Sequence, residues 1–408
     1  MRGILPFLVA LIAVAFFTRV DAFFYLLYAL FGIYVLGRLW TRRSVAAVAL
    51  HRRHDQRVFW GERFAVDVEV HNKSWLPVLW LRLQDTIPAE LTAGSLFRHV
   101  ISLLPHERLT LRYHLTGRHR GYYPLGPLVG LGGDLLGLAT YETSQAEEDF
   151  VVVYPKIFAL RDLGFPSQSP FGILPSRERL FEDPTRIQGV RDYQPGDSLR
   201  SMDWKTSARV GHLQVRRYEP AIALETAIFL NLDGGDYAPR SRQPTTELGI
   251  SLAASVAVHV VEKRQAVCLA TNGLDPFRPP HPEPGAPALS GLPFVPLRKG
   301  SEHLMHLLGL LARIEVAPEG EAVSFLDLLN RRSLGLPWGS TVLIVTAQES
   351  EGLIDTLLAL RRRGLVVILV ATSPELAADQ FALTARRADQ IGVQALQIWS
   401  EQGADVWR

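Results

Sequence analysis

Between Gly189 and Pro220 the chain reads GVRDYQPGDSLRSMDWKTSARVGHLQVRRYEP, and a serine, a histidine and a carboxylate fall close together there: Ser207, His212 and Asp203. A nucleophile, a base and an orienting acid are what acyl transfer needs. All three lie in one helix-turn stretch, with no nucleophile elbow and no oxyanion loop around them. Capping and surface contacts account for them better. The aspartates Asp192, Asp197 and Asp203 raise a second chemistry, metal ligation, but no histidine joins them and their spacing is not tight. Six cations surround them, Arg191, Arg200, Lys205, Arg209, Arg216 and Arg217, so hydrogen-bonded ion pairs are the expected use. Further on, Asp233-Gly234-Gly235-Asp236-Tyr237 follows an apolar run. Asp233 and Asp236 are a degenerate candidate for a divalent ion, which wants several oxygen ligands. Capping of the loop by Asp233 is the competing use.

The elements that must position these residues are legible in outline. Pro195-Gly196 followed by Asp197 predicts a turn into a helix over 198–208, with Asp197 as its N-cap. Gly211 then permits a reversal, and Leu213 to Tyr218 alternates apolar and basic as a half-buried strand does. Tyr193 and Trp204 are interleaved with the charges. Helix spacing can leave Arg200 and Arg209 exposed for docking, whereas Trp204 is expected to clamp the domains together. Beyond Pro220 the texture is α/β. Thr226 to Leu232, Ala266 to Ala270, Thr341 to Thr346 and Leu365 to Ala371 are apolar strands, separated by helical stretches at Glu247 to Lys263 and Leu353 to Arg363. Such alternation implies a largely parallel sheet covered on both faces.

The string Arg191-Asp192-Tyr193-Gln194-Pro195-Gly196-Asp197, then Arg200, Asp203-Trp204-Lys205, Ser207-Ala208-Arg209 and Leu213-Gln214-Val215-Arg216 resembles the signature of the bacterial membrane proteins grouped as the domain of unknown function 58 family. The order of parts resembles that family too: a hydrophobic hairpin, a β-rich module, the signature, then a von Willebrand factor type A-like region. The resemblance implies work beside a MoxR-type AAA ATPase in the assembly or maturation of other proteins. In the type A fold an Asp-x-Ser-x-Ser loop holds Mg²⁺. Here Gly235 and Tyr237 stand where the hydroxyls belong, and Thr346-Ala347-Gln348 brings no carboxylate.

At the other end of the chain, Ile4 to Phe17 is apolar, Arg19 and Asp21 interrupt, and a second apolar run extends from Ala22 to Leu36. Two membrane helices are expected, about 3–20 and 22–40. A cleaved signal peptide is the rival reading, but it leaves the second run unexplained. Arg38, Arg42, Arg43, Arg52 and Arg53 follow the second run, so the positive-inside rule puts both ends in the cytoplasm. From Val45 to Pro155 short alternating runs such as Phe64 to Val70 predict an antiparallel sandwich with one face wet. The glycine-rich passage 117–138 lacks the lysine and strand-loop-helix context of a phosphate loop, which leaves turns and tight sheet edges as its use. The seven histidines of this module have no metal-ligand spacing. A net charge of +2 argues against nucleic acid as partner, and the lone Cys268 can form no intrachain disulfide.

The fold expected is therefore multi-domain: a transmembrane helical hairpin within 1–43, a β-sandwich-like module over 44–155, a connector and signature over 156–220 with its core at 189–220, and a von Willebrand factor type A-like α/β domain over 221–408. The function expected is that of a membrane-anchored, cytoplasm-facing scaffold or adaptor without catalysis or cofactor, bound to the lipid bilayer and to a protein partner. A metal-dependent hydrolase built at Asp233 or at the signature is the alternative.

Overall fold

The computed structural model describes residues 21–91, 97–134, 140–144, 149–158, 182–194, 201–220, 225–277, 291–320, 322–347, 352–372 and 378–398. The first expected membrane helix lies outside them. The chain divides into two compact units, Met1–Lys156 and Ile157–Arg408.

In the first unit, helix α1 (Asp21–Ala46) displays Tyr25, Leu26, Tyr28, Phe31, Ile33 and Leu36 on its surface. It is long and apolar enough to cross a bilayer. Ten strands follow. β1 (Val48–His54), β3 (Arg63–Asn72) and β6 (Arg108–Thr116) form one antiparallel sheet. A second sheet has the order β5 (Arg98–Leu103), β4 (Val78–Asp85), β8 (Leu128–Gly133), β9 (Thr140–Ser144). A third joins β2 (Arg57–Val58), β10 (Asp149–Val153) and β7 (Gly121–Leu125). The expected alternation along β3 is realised: Phe64, Val66, Val68 and Val70 are buried and the residues between them are half-buried. Val68 and Val70 pack with Leu81, Leu83 and Leu128 of the second sheet, while Phe64 and Val66 pack with Leu125, Val151 and Val153 of the third. One sheet thus shares its inner face with the other two. Of the glycine-rich passage, β7 is an edge strand of the third sheet, as the sequence suggested, whereas β8 runs between β4 and β9. A Cβ at Gly132 would meet Val45 Cγ2 at 2.5 Å and the Trp80 carbonyl at 3.2 Å, so glycine is what lets the end of α1 and the next strand approach this closely.

A charged cluster is buried in this unit. Arg52, only 4% exposed, donates from Nε and Nη2 to both carboxylate oxygens of Asp85 at 3.1 and 2.5 Å, and from Nη1 to the Leu125 carbonyl and to Asp149 at 3.0 Å each. The Tyr113 hydroxyl completes Asp85, donating at 2.6 Å. Burial and then the Asp85 charge push the Tyr113 phenol far above its usual range. An unfolded tyrosine titrates near 10. Above that pH the unfolded chain has lost a proton that the folded chain keeps, so stability is full below about pH 10 and falls as pH rises beyond it. Urea midpoints should therefore drop between neutral pH and pH 10.5. Tyr113→Phe should flatten part of that drop, the remainder coming from Tyr154, Tyr237 and Cys268, which burial also raises.

The second unit is built on a six-stranded sheet of order β15 (Phe294–Arg298), β14 (Ala266–Thr271), β13 (Glu225–Leu230), β16 (Thr341–Thr346), β17 (Val366–Ala371), β18 (Gln394–Gln397). All neighbours are parallel except β14 and β15. Its strands read as continuous apolar runs because both faces are covered. On one face Ala227, Phe229, Ile344 and Leu369 pack under helices at Phe325–Arg332 and Leu353–Arg362. On the other lies the long helix Arg242–Glu262, where a Cβ at Gly249 would touch Val345 and Leu230. This helix also passes the length and apolarity test for a bilayer span, but its Leu248, Ile250, Leu252, Val256 and Val260 are core residues. Cys268 is buried within β14, its thiol pushed up to about 12 by burial.

Candidate functional site

The signature folds as a hairpin with a short helix packed across its mouth. β11 (Glu182–Asp192) pairs antiparallel with β12 (Gln214–Pro220), Asp192 facing Gln214 and Arg191 facing Val215. Helix α2 runs over Trp204–Val210 with Asp203 as its N-cap. That start has a local reason. The Asp203 backbone N–H donates to the Gln214 carbonyl at 2.8 Å and Met202 bridges to Val215, so the chain is still extended beside β12 at residue 203. Pro195, Gly196, Asp197 and Arg200 lie outside the described residues. Gly211 closes α2 at φ 83°, where its N–H donates to the Ser207 carbonyl at 2.9 Å.

Within this frame the polar residues are turned toward one another. Asp203 Oδ1 accepts from the Thr206 N–H at 3.0 Å and Oδ2 from Arg216 Nε at 3.1 Å. Those two donors, the amide first, hold its carboxyl below the usual carboxylate range. Ser207 is buried; its hydroxyl donates to the Asp203 carbonyl at 2.7 Å and accepts from the Gln214 N–H at 2.8 Å. Asp192 accepts from the Gln214 amide and meets His212 Nε2 at 3.0 Å, and the first of these chiefly lowers its carboxyl. Ser207 and His212 are thus each bound to other groups, and the serine-histidine-aspartate reading does not assemble. The Arg191 guanidinium turns back on the Asp192 carbonyl at 3.1 Å, and Tyr193 continues the hairpin through its N–H to Leu213. Gln214 was not singled out from the sequence. Only its place opposite Asp192 makes it the link between hairpin and helix.

What faces outward is a different set. Trp204 is 65% exposed. Lys205 and Arg209 are exposed beside it, as are Val210 and Leu213.

The second candidate, at the carboxyl end of β13, is a closed polar network. Asp233 caps the turn Gly234–Asp236 by accepting from the Gly235 N–H at 2.9 Å. Asn231, 1% exposed, donates from Nδ2 to Asp236 Oδ2 at 2.6 Å and to Thr346 Oγ1 at 3.1 Å. Its Oδ1 accepts from the Asp233 N–H and from Asn272 Nδ2 at 3.1 and 3.0 Å. The buried Tyr237 hydroxyl donates to the Asn231 carbonyl at 2.5 Å. Burial, then the Asp236 and Asp233 charges, raise that phenol well above its ordinary value. The donor set does not fit a divalent ion of the Asp-x-Ser-x-Ser kind: an amide N–H₂ stands between Asp236 and Thr346, Gly235 has no hydroxyl, and Tyr237 points its own into the backbone. No cluster of three or more His, Cys, Asp or Glu suited to a metal occurs among the described residues. The sequence cue to this network was a lone asparagine inside the apolar run Phe229-Leu230-Asn231-Leu232.

The family model described as "Protein of unknown function DUF58" matches residues 189–378, from within β11 to just past β17. Residues 189–378 belong to the DUF58 family. The chain is similar to the uncharacterized protein YeaD of Bacillus subtilis, with 23% identity over 337 residues, 81% of this chain and 76% of that protein. Among solved structures, native α-2-macroglobulin from Escherichia coli, spanning domain MG7 to the C-terminus, aligns at 18% identity and a TM-score of 0.25, over 28% of this chain and 18% of that one. The CARDB domain of a Pyrococcus furiosus protein aligns at 18% identity and a TM-score of 0.20, over 26% of this chain and 91% of the domain. Likenesses this low say nothing about this chain's activity.

Proposed function

We propose that this protein is a membrane-anchored, cytoplasm-facing adaptor that works by protein recognition. In this reading a transmembrane hairpin carries a β-sandwich-like module and a von Willebrand factor type A-like domain. The observation that carries the reading is the division of labour in the signature: its carboxylates, serine and glutamine hold the hairpin and α2 together, while Trp204, Lys205, Arg209, Val210 and Leu213 face solvent. Tryptophan and arginine are the residues most enriched where binding energy concentrates. An apolar pocket rimmed by carboxylates is the partner surface that fits them. A MoxR-type AAA ATPase is the partner that the family resemblance implies.

Crosslinking in native membranes tests this. The Trp204→Ala, Arg209→Ala double variant should keep its thermal midpoint near that of the parent and lose partner capture, with affinity reduced roughly thirtyfold or more, the equivalent of one hot spot of at least about 2 kcal/mol. Undiminished capture by the folded double variant sinks the idea. For orientation, a reporter fused after Arg408 should be active only in the cytoplasm; periplasmic labelling of the soluble region would reverse the topology.

A further inference from the structure

The turns joining β3 to β4 and β5 to β6 lie at the same end of the first unit as the close of α1. Pairing of Val48 with Asn72 sets this, and the Lys73 N–H donates to the Ala47 carbonyl at 3.0 Å. The fully buried Asn72 side chain ties both turns together. Its amide donates to the carbonyls of Leu76 and Leu104 at 2.9 and 3.0 Å, and its oxygen accepts from the Ser74 N–H and hydroxyl at 3.1 and 2.8 Å. Turns held this firmly nevertheless direct large apolar side chains outward. Trp75 is 74% and Leu104 67% exposed, with Leu79 and Trp40 at 40% each. Trp40 Nε1 donates to the Pro77 carbonyl at 3.1 Å, and between helix and turn runs a cleft of about 780 Å³ lined by Leu36, Leu39, Trp40, Arg43, Trp75 and Leu79.

Charge at this end is mainly positive. Arg42, Arg43, Lys73 and Arg108 are exposed; opposing them are Glu107, whose carboxylate accepts from the Leu104 N–H, and Asp134, buried at the edge of the cleft. Burial, then the charges of Arg108, Lys73 and His106, hold the His71 imidazole below its usual range. In water, nothing is gained by displaying tryptophan and leucine on a rigid turn. At a bilayer interface the same side chains have a place, since tryptophan rings sit at headgroup level and basic groups there attract anionic lipid. Depth agrees: the uncharged run 22–37 of α1 rises about 24 Å, most of a hydrocarbon layer of about 30 Å. The next turn of the helix, with Trp40 and Arg43, then falls at its edge.

We propose that this end of the β-rich unit is a second membrane contact, in which Trp75 and Leu104 insert at the interface beside α1, Arg43, Lys73 and Arg108 bind anionic phospholipid headgroups, and an acyl chain lies in the cleft. The proposal rests on α1 being a bilayer span. Its test uses the full chain, because the single Cys268 is buried and 3% exposed. Pro105→Cys adds one reactive thiol at the turns, and Asp55→Cys adds one past the far end of β1, a strand of seven residues or about 20 Å. Each is labelled with a fluorophore and reconstituted in phosphatidylcholine vesicles, with and without phosphatidylglycerol, containing a lipid with a nitroxide high on its acyl chain. Quenching at 105 should be severalfold stronger than at 55 and should increase with phosphatidylglycerol. Trp75→Ala with Leu104→Ala should bring it down to the level at 55, and Lys73→Glu with Arg108→Glu should abolish the gain from phosphatidylglycerol. Should the apolar double variant fail to fold, the charge-reversed pair still decides. Equal quenching at both sites, or indifference to phosphatidylglycerol, in a chain that resists alkaline carbonate extraction overturns this proposal alone. A chain released by carbonate overturns the span and the proposal with it.

Discussion

Arg52→Ala should cost the β-rich unit roughly 3–5 kcal/mol, because it leaves the buried carboxylate of Asp85 without its counter-charge. Asp85 is 1% exposed, and its carboxylate would keep only the Tyr113 hydroxyl as a donor among the described residues. The converse change, Asp85→Ala, strands the guanidinium with Asp149 and the Leu125 carbonyl and should cost a similar amount. The two changes together should cost clearly less than the sum of the singles, since residues in one network do not add. With two units in the chain, a single two-state transition is not assumed. The readout is the melting transition that follows β-sheet signal, which should fall by well over 10 °C for either single variant. A shift of only a few degrees for Arg52→Ala would show that water or rearrangement screens the cluster.

The second large effect is expected at Asn231. Replacing it by alanine removes the donor to Asp236 and Thr346 and the acceptor for Asn272 and the Asp233 N–H. Each buried partner left unpaired costs about 1–3 kcal/mol. Because Asp236 and the Asp233 loop can still reach water, a total of roughly 2–4 kcal/mol is expected, with loss of order at the carboxyl ends of β13 and β16. Titrating Mg²⁺ into the parent should leave its midpoint unmoved, since a ligand stabilises only as its concentration exceeds its dissociation constant. A rise with millimolar Mg²⁺ that Asp233→Ala removes would restore a metal role. Aspartate at 231 would be informative as well. It trades the amide donor for a further carboxylate beside Asp236, and a Mg²⁺-dependent midpoint appearing only in Asn231→Asp would mean that the asparagine amide occupies the place of a cation.

The physical origin of both effects is the same. Each site is a buried polar group satisfied from several elements at once, and so each was hard to read in one dimension. Arg52 stood in the sequence as one more basic residue following an apolar helix, and its partners Asp85 and Asp149 are remote from it in the chain. Asn231 was a single polar letter in an apolar strand. By contrast, the parallel strands of the second unit and the alternation along β3 were legible, because periodicity reports burial directly. The boundaries of α2 were not. The helix begins at Trp204 because pairing with β12 holds the preceding residues extended.

The sequence by itself determined the order of parts, the family through the residues from Arg191 to Arg216, the apolar helix and the α/β sheet, since composition, period and motif are local properties. Only the tertiary structure decided which signature residues are internal and which are presented. Asp192, Asp203, Ser207 and Gln214 became framework because antiparallel pairing of β11 with β12 sets them opposite one another. Trp204 and Arg209 became surface because the helix that carries them lays its serine face on that hairpin.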